Sequence, residues 1–289
     1  MSEKNQTFPT NRVEVFFDLL KHHKFELLKA NLWFLLFAVL SFGALYFYFI
    51  YSSAIQAAVI NGSATLPTFP NGEAMTIDEY LLWFRTVVLT GMIFTNILFF
   101  LGLGGLQHVI QSLIFADLID KIRVLFFEGV KRNAKQYIGL SLVFSIGIDF
   151  AQFIISFYLL YGLDIVGIIC VVLAGILIIL LYHLAPFVFA TSNLYKCGFF
   201  SLIKNSYGLY FAKWLRNIPL TWLVTLPVAL FLIPSAYFVS IYFFIFIFLY
   251  VPITLIIMTL SFNDVSDEKI NKEQFPEIYR KGIYDKKEQ

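Results

Sequence analysis

Apolar residues in this chain fall in long unbroken runs. They show neither the alternation of a half-buried strand nor the narrow stripe of a soluble amphipathic helix. Six runs reach the roughly 20 residues that cross a hydrocarbon layer: about Leu32–Ser52, Leu81–Ile110, Ile138–Tyr161, Ile165–Ala190, Leu215–Ile233 and Tyr237–Phe262. A transmembrane β-barrel would show short alternating segments instead. The predicted fold is an all-α integral membrane protein with six transmembrane helices. The second run is long enough to tilt or to project past the bilayer. The fifth contains Pro219, Pro227 and Pro234, which predict kinks. Only Gly162-Leu163-Asp164 separates the third run from the fourth, so those two form a tight hairpin.

The polar positions between the runs set the orientation. Lys and Arg collect before span one (Lys4, Arg12, Lys21, Lys24, Lys29) and between spans two and three (Lys121, Arg123, Lys131, Arg132, Lys135). They recur before span five (Lys196, Lys204, Lys213, Arg216) and in the tail (Lys269, Lys272, Arg280, Lys281, Lys286, Lys287). Only Arg85 lies elsewhere, and it is expected to snorkel outward beside Asp78 and Glu79. By the positive-inside rule both termini are cytoplasmic. The organisation is then a cytoplasmic amphipathic helix over 1–30, a six-span domain over 31–262 and a charged, solvated tail over 263–289. The first 30 residues include Glu3, Glu14, Asp18 and Glu26, and span one reads as a retained anchor, not a cleaved signal. The long outer loop, about 53–80, contains a sequon, Asn61-Gly62-Ser63, a triplet common by chance.

Composition narrows the function classes. Of 289 residues, 59% are apolar and 14% charged, too apolar for an ordinary soluble enzyme. A net charge of +2 carries no nucleic-acid footprint, so the expected surroundings are the lipid bilayer. Two cysteines, Cys170 and Cys197, cannot make a disulfide framework or a thiolate metal site.

Three hexads on the predicted cytoplasmic side look alike: Phe16-Phe17-Asp18-Leu19-Leu20-Lys21, Phe126-Phe127-Glu128-Gly129-Val130-Lys131 and Phe199-Phe200-Ser201-Leu202-Ile203-Lys204. Val13, Phe16, Phe17 and Leu20 share a helical face, and Asn11 with Glu14 resembles a capping box. One reading is a threefold repeat, each unit an amphipathic helix in the headgroup layer followed by a transmembrane hairpin. The other is convergence, because aromatic and basic residues crowd the inner boundary of any multi-pass protein.

Gly102-Leu103-Gly104-Gly105-Leu106, followed by Phe126-Phe127-Glu128-Gly129-Val130-Lys131-Arg132-Asn133-Ala134-Lys135-Gln136, resembles the YesL-like family of bacterial membrane proteins. Asn31-Leu32-Trp33 and the Phe199–Trp214 segment are similar to it as well. The resemblance implies a six-span protein of the bacterial plasma membrane, an accessory of sugar-uptake or envelope systems, with no catalytic residues to carry over. The missing proline at Gly102–Gly105 and the long 53–80 loop depart from the family pattern.

Candidate chemistry centres on Asp149, in the middle of span three, where a lone carboxylate is costly unless it faces protein or water. Ser141, Ser145, Asp149, Gln152 and Ser156 form one polar stripe at helical spacing. The stripe can line a solute or proton path, or it can join helices by hydrogen bonds. Asn96 in span two and His183 in span four are the candidate mates of Asp149, which is expected to face the bundle interior. His22, His23 and His108 lack metal-ligand spacing, and no metal, cofactor or catalytic motif is expected. The leading reading is a non-enzymatic accessory or scaffold protein, with a membrane transport complex as a partner. The alternatives are a small-solute transporter using the stripe and an intramembrane enzyme acting on lipid. The topology is testable: a cysteine at position 70 should react with an impermeant thiol reagent in intact cells, and one at position 280 should not. Labelling of position 280 from outside would overturn the orientation.

Overall fold

The computed structural model describes residues 9–62, 65–68, 70, 72–115, 121–232 and 236–284. Glu3, Lys4, Ser63, Ile233, Pro234, Lys286 and Lys287 lie outside them. Three consecutive units repeat one pattern of short helix, break, span and returning span. The first is α1 (Arg12–His22), α2 (Lys24–Ile60) and α3 (Ile77–Ile114). The second is α4 (Ile122–Arg132), α5 (Ala134–Tyr161) and α6 (Ile165–Leu194). The third is α7 (Phe199–Ala212), α8 (Trp214–Thr225), a 3₁₀ stretch (Leu226–Leu232) and a rod. The rod comprises α9 (Ala236–Ile245), α10 (Val251–Ser266) and α11 (Lys272–Gln274), joined by π-helical turns at Phe246–Tyr250 and Asp267–Asn271. Among the described residues, five helices are long and apolar enough to cross a membrane: α2, α3, α5, α6 and the rod over Tyr237–Gln274.

One residue makes each break. His23, Asn133 and Lys213 have φ/ψ of −115°/20°, −127°/25° and −129°/48°, near the sparsely populated bridge region that interrupts a helix. Counting from each break, positions four, eight and eleven are buried in all three units. They are Leu27, Tyr137 and Asn217, then Asn31, Ser141 and Thr221, then Phe34, Phe144 and Val224. That spacing is one helical face. The hexads do not share this register. Phe16 and Phe126 stand seven residues before their breaks and Phe199 fourteen, so the third-unit equivalent of Phe126 is Ser206. The paired phenylalanines also divide their roles: Phe126 is fully buried, whereas Phe17 and Phe200 are exposed. The three pairs do lie on three separate short helices, with Phe126 on the face that packs inward.

The glycines of Gly102–Gly105 allow close packing. A Cβ added at Gly105 would lie 2.9 Å from the Phe126 ring and carbonyl, and one at Gly129 would lie 3.1 Å from Gly105 Cα. Backbone approach of this kind is what small residues permit between membrane helices.

The fifth run departs most from its predicted form. It is no continuous helix: α8 gives way to the 3₁₀ stretch one residue before Pro227, which lacks an N–H and disfavours helix at Leu226. The loosened carbonyls are satisfied from the rod. Tyr250 Oη donates to Val224 O at 2.6 Å and Tyr242 Oη to Pro227 O at 2.7 Å. Asn31 Nδ2 in turn donates to Ile247 O and Phe248 O at 3.3 and 3.2 Å, serving the π-helical turn. Backbone irregularity at membrane depth survives where neighbouring protein groups complete its hydrogen bonds.

Residues beyond 262 are not a solvated tail as far as Gln274. The rod runs on, and Val265, Ser266, Asp267 and Asn271 are buried. Tyr284 N donates to Pro9 O at 2.9 Å, which brings both described ends to one end of the bundle, here the basal end. The loop between the first two spans is shorter than predicted, since α2 reaches Ile60 and α3 starts at Ile77, behind a capping box of Thr76 and Glu79.

Tyr250→Phe removes a donor to a buried carbonyl and should destabilise the fold by about 1–3 kcal/mol. Tyr46→Phe, whose hydroxyl meets Ser240 at an exposed position 3.1 Å away, should cost far less. Thermal unfolding in detergent compares the two, and equal midpoints would refute the role of Tyr250.

Candidate functional site

The predicted stripe lies along the contact of α3 with α5. These helices run antiparallel, and their bonded pairs keep one register: Tyr161 with Glu79 (3.4 Å), Thr90 with Asp149 (2.9 Å) and Asn96 with Ser145 (3.0 Å). Asp149 therefore pairs with neither Asn96 nor His183. Its partner is Thr90, whose hydroxyl donates to Oδ2. Sequence reasoning missed Thr90 because a threonine in an apolar run has no periodic signal of its own.

Asp149 is half-buried and Thr90 exposed, so the pair sits on the lateral edge of the bundle and not in its interior. Oδ1 is buried without a hydrogen-bond partner. Gln152 Nε2 donates to Ser156 Oγ at 2.9 Å, leaving Gln152 Oε1 without one. Ser141 is buried and its hydroxyl is also unpartnered. Arg85 does not pair with Asp78 or Glu79. By the same register it lies level with Ser156, and its buried Nε has no acceptor. The seam thus presents two carbonyl-type acceptors and a guanidinium donor, all unmet among the described residues.

His183 belongs to another structure. Nδ1 contacts Ile179 O at 2.7 Å, and its ring meets the edges of Tyr182, Tyr210 and Trp222. It is a packed core histidine. Among the described residues no group of three His, Cys, Asp or Glu side chains could hold a metal ion.

Much of the buried polarity gathers in a layer toward the basal end that sequence reasoning did not find. Gln107 Nε2 donates to Thr259 Oγ1 at 2.8 Å and Gln111 Nε2 to Asn263 Oδ1 at 3.3 Å, tying α3 to α10. Asn193 Nδ2 and Ser192 Oγ both donate to the buried Tyr137 hydroxyl, at 3.0 and 3.1 Å. Ser206 Oγ donates to Thr191 Oγ1 at 2.9 Å. Burial pushes the Tyr195 phenol up to about 12, so it donates as a neutral hydroxyl to Asn271 Oδ1 at 2.5 Å. Most such residues lie just beyond the ends of the apolar runs, where polar side chains are ordinary, so only the packing of the spans reveals them as pairs.

Beside this layer, a cleft of about 810 Å³ opens between α1, α8, α10 and the C-terminal segment. Its inner wall holds Arg12, which donates to Asp267 Oδ2 at 2.5 Å and to Lys281 O at 3.0 Å. Both ion-pair side chains are only 10% exposed. Nearer solvent, Asp264 pairs with Arg216, and Lys213 pairs with Glu268.

No family model matches the chain, and no curated protein or solved structure matches it.

Asp267→Ala strands a buried guanidinium and should cost about 3–5 kcal/mol. Asp264→Ala opens a partly exposed pair and should cost about 1 kcal/mol or less. Chemical or thermal unfolding of the two variants measures the difference, and similar losses would refute the buried character of the Arg12 pair.

Proposed function

We propose that the chain is a non-catalytic, six-span membrane protein that acts as an accessory subunit by docking a partner's transmembrane helix along the α3–α5 seam. The bond between Pro9 and Tyr284 favours six crossings. Five long helices alone would leave the two ends on opposite faces, and a broken segment that also crosses brings them together. Its 12 α-helical and 7 3₁₀ residues extend about 18 Å and about 14 Å, together comparable to a hydrocarbon core of about 30 Å. The basic residues near α1, α4, α7 and the rod's end favour a cytoplasmic basal end. The likeness of Gly102–Gly105 and Phe126–Gln136 to YesL-like proteins favours a bacterial plasma membrane and a partner in sugar uptake or the envelope.

Asp149 Oδ1 carries the docking reading. Oδ1 is buried and hydrocarbon offers it no donor, while the exposed Thr90 that holds Oδ2 marks the lateral edge along which a partner helix lies. A partner bearing Ser, Thr, Asn or Gln at matching height meets the exposed Thr90 and supplies a donor to Asp149 once its carboxyl turns outward. The alternative of a solute path is weakened by the pairing of the stripe itself, since Ser145, Asp149 and Gln152 each already hold a neighbouring side chain.

A photo-crosslinker at Phe94, 74% exposed and one turn from Thr90, tests the surface in native membranes. A discrete protein adduct is expected. Asp149→Leu should abolish it while leaving thermal stability equal or higher, and Asp149→Asn should retain it in part. An adduct indifferent to residue 149, or crosslinking to lipid alone, would overturn the reading.

A further inference from the structure

The docking reading leaves the basal cleft unused. It lies where α1 of the first unit faces α8 and α10 of the third, and two kinds of surface meet in it. One wall is apolar and continues into the spans, through Leu220 on α8 and Ile257 and Leu260 on α10. On α1, Val13 and Phe17 remain 66% and 63% exposed. At the amphipathic boundary of a membrane protein, such a wall opens toward acyl chains, not toward water.

The other wall is charged, and its charges are unevenly met. Asp267, Asp264 and Glu268 are each already paired, with Arg12, Arg216 and Lys213 respectively. Lys272 lines the cleft with no ion-pair partner among the described residues. Arg12 is nine-tenths buried, and while its terminal nitrogens are occupied, its Nε is buried without an acceptor. A buried guanidinium N–H left unmet is costly, and an anionic oxygen is the acceptor that suits it best.

From these two walls we propose that the cleft is a binding site for one acidic phospholipid drawn from the surrounding leaflet. Its phosphate accepts from Arg12 Nε and faces the Lys272 ammonium. One acyl chain lies along Phe17, Val13 and Leu220, and the second stays in the bilayer. A free phosphate shares the headgroup chemistry but leaves the apolar wall uncovered.

Native mass spectrometry of the full chain in detergent distinguishes these sources. The probes are phosphatidylglycerol, phosphatidylcholine with the same acyl chains, and inorganic phosphate. One phosphatidylglycerol should be retained in preference to phosphatidylcholine by roughly tenfold, and Val13→Trp, which fills the cleft, should reduce retention by a similar factor. Lys272→Glu, at an exposed position remote from the core, should do the same with circular dichroism and melting unchanged. Equal retention of the two lipids, or retention indifferent to both substitutions, would overturn the site. Displacement of phosphatidylglycerol by equimolar inorganic phosphate would reassign it to a free anion.

Discussion

A polar atom at membrane depth has no water to fall back on, and much of this architecture follows from where such atoms find partners. The clearest case is the third unit. Proline at 227 takes away a backbone donor, and the chain changes from α to 3₁₀ geometry there. A tyrosine hydroxyl from the adjacent rod covers the Val224 carbonyl three residues before it, and a second bonds the carbonyl of Pro227 itself. The rod has an irregularity of its own at Phe246–Tyr250, and Asn31 of the first unit serves it. The first and third units are thereby locked through backbone repair as well as through apolar packing.

The same need explains the buried polar layer. Gln107, Gln111, Thr259 and Asn263 would each be expensive in hydrocarbon, and each becomes a cross-helix tie once α3 and α10 are adjacent. Close approach at the neighbouring α3–α4 and α3–α5 contacts depends on steric permission as well, which Gly104, Gly105 and Gly129 provide. The Arg12–Asp267 pair closes the layer, joining the N-terminal helix to the end of the rod. Of the buried polar atoms left unmet, those of Asp149 at the lateral edge and Arg12 in the cleft lie beside surfaces suited to something other than bulk lipid tails.

Repetition with local divergence gives the bundle its uneven faces. Three breaks of similar backbone geometry set three spans with the same positions inward. The third copy has a longer short helix and a broken span, and the cleft forms between this divergent copy and the first. The hexads that suggest the repeat align in two copies and slip by seven residues in the third. Paired phenylalanines are therefore a weaker marker of the unit than the single break residue.

By itself the sequence determined the helical class, the approximate spans of four long helices, the start of the rod, the tight turn at Gly162–Asp164 and the presence of short helices ahead of each hairpin. Those features depend on runs of apolar residues and on local propensities, which act within a few turns of chain. Tertiary structure decided what depends on neighbours. It gave Asp149 to Thr90 instead of Asn96 or His183, set that pair on an edge, turned Phe126 inward and folded 263–274 into the rod. It also brought Arg12 to Asp267, some 255 residues away, and so created the cleft. An isolated Thr, Gln or Asn in an apolar run reads the same whether it meets lipid or a partner. Only the packing of one helix against another, with the unmet cost of a buried polar atom as the penalty, distinguishes the two.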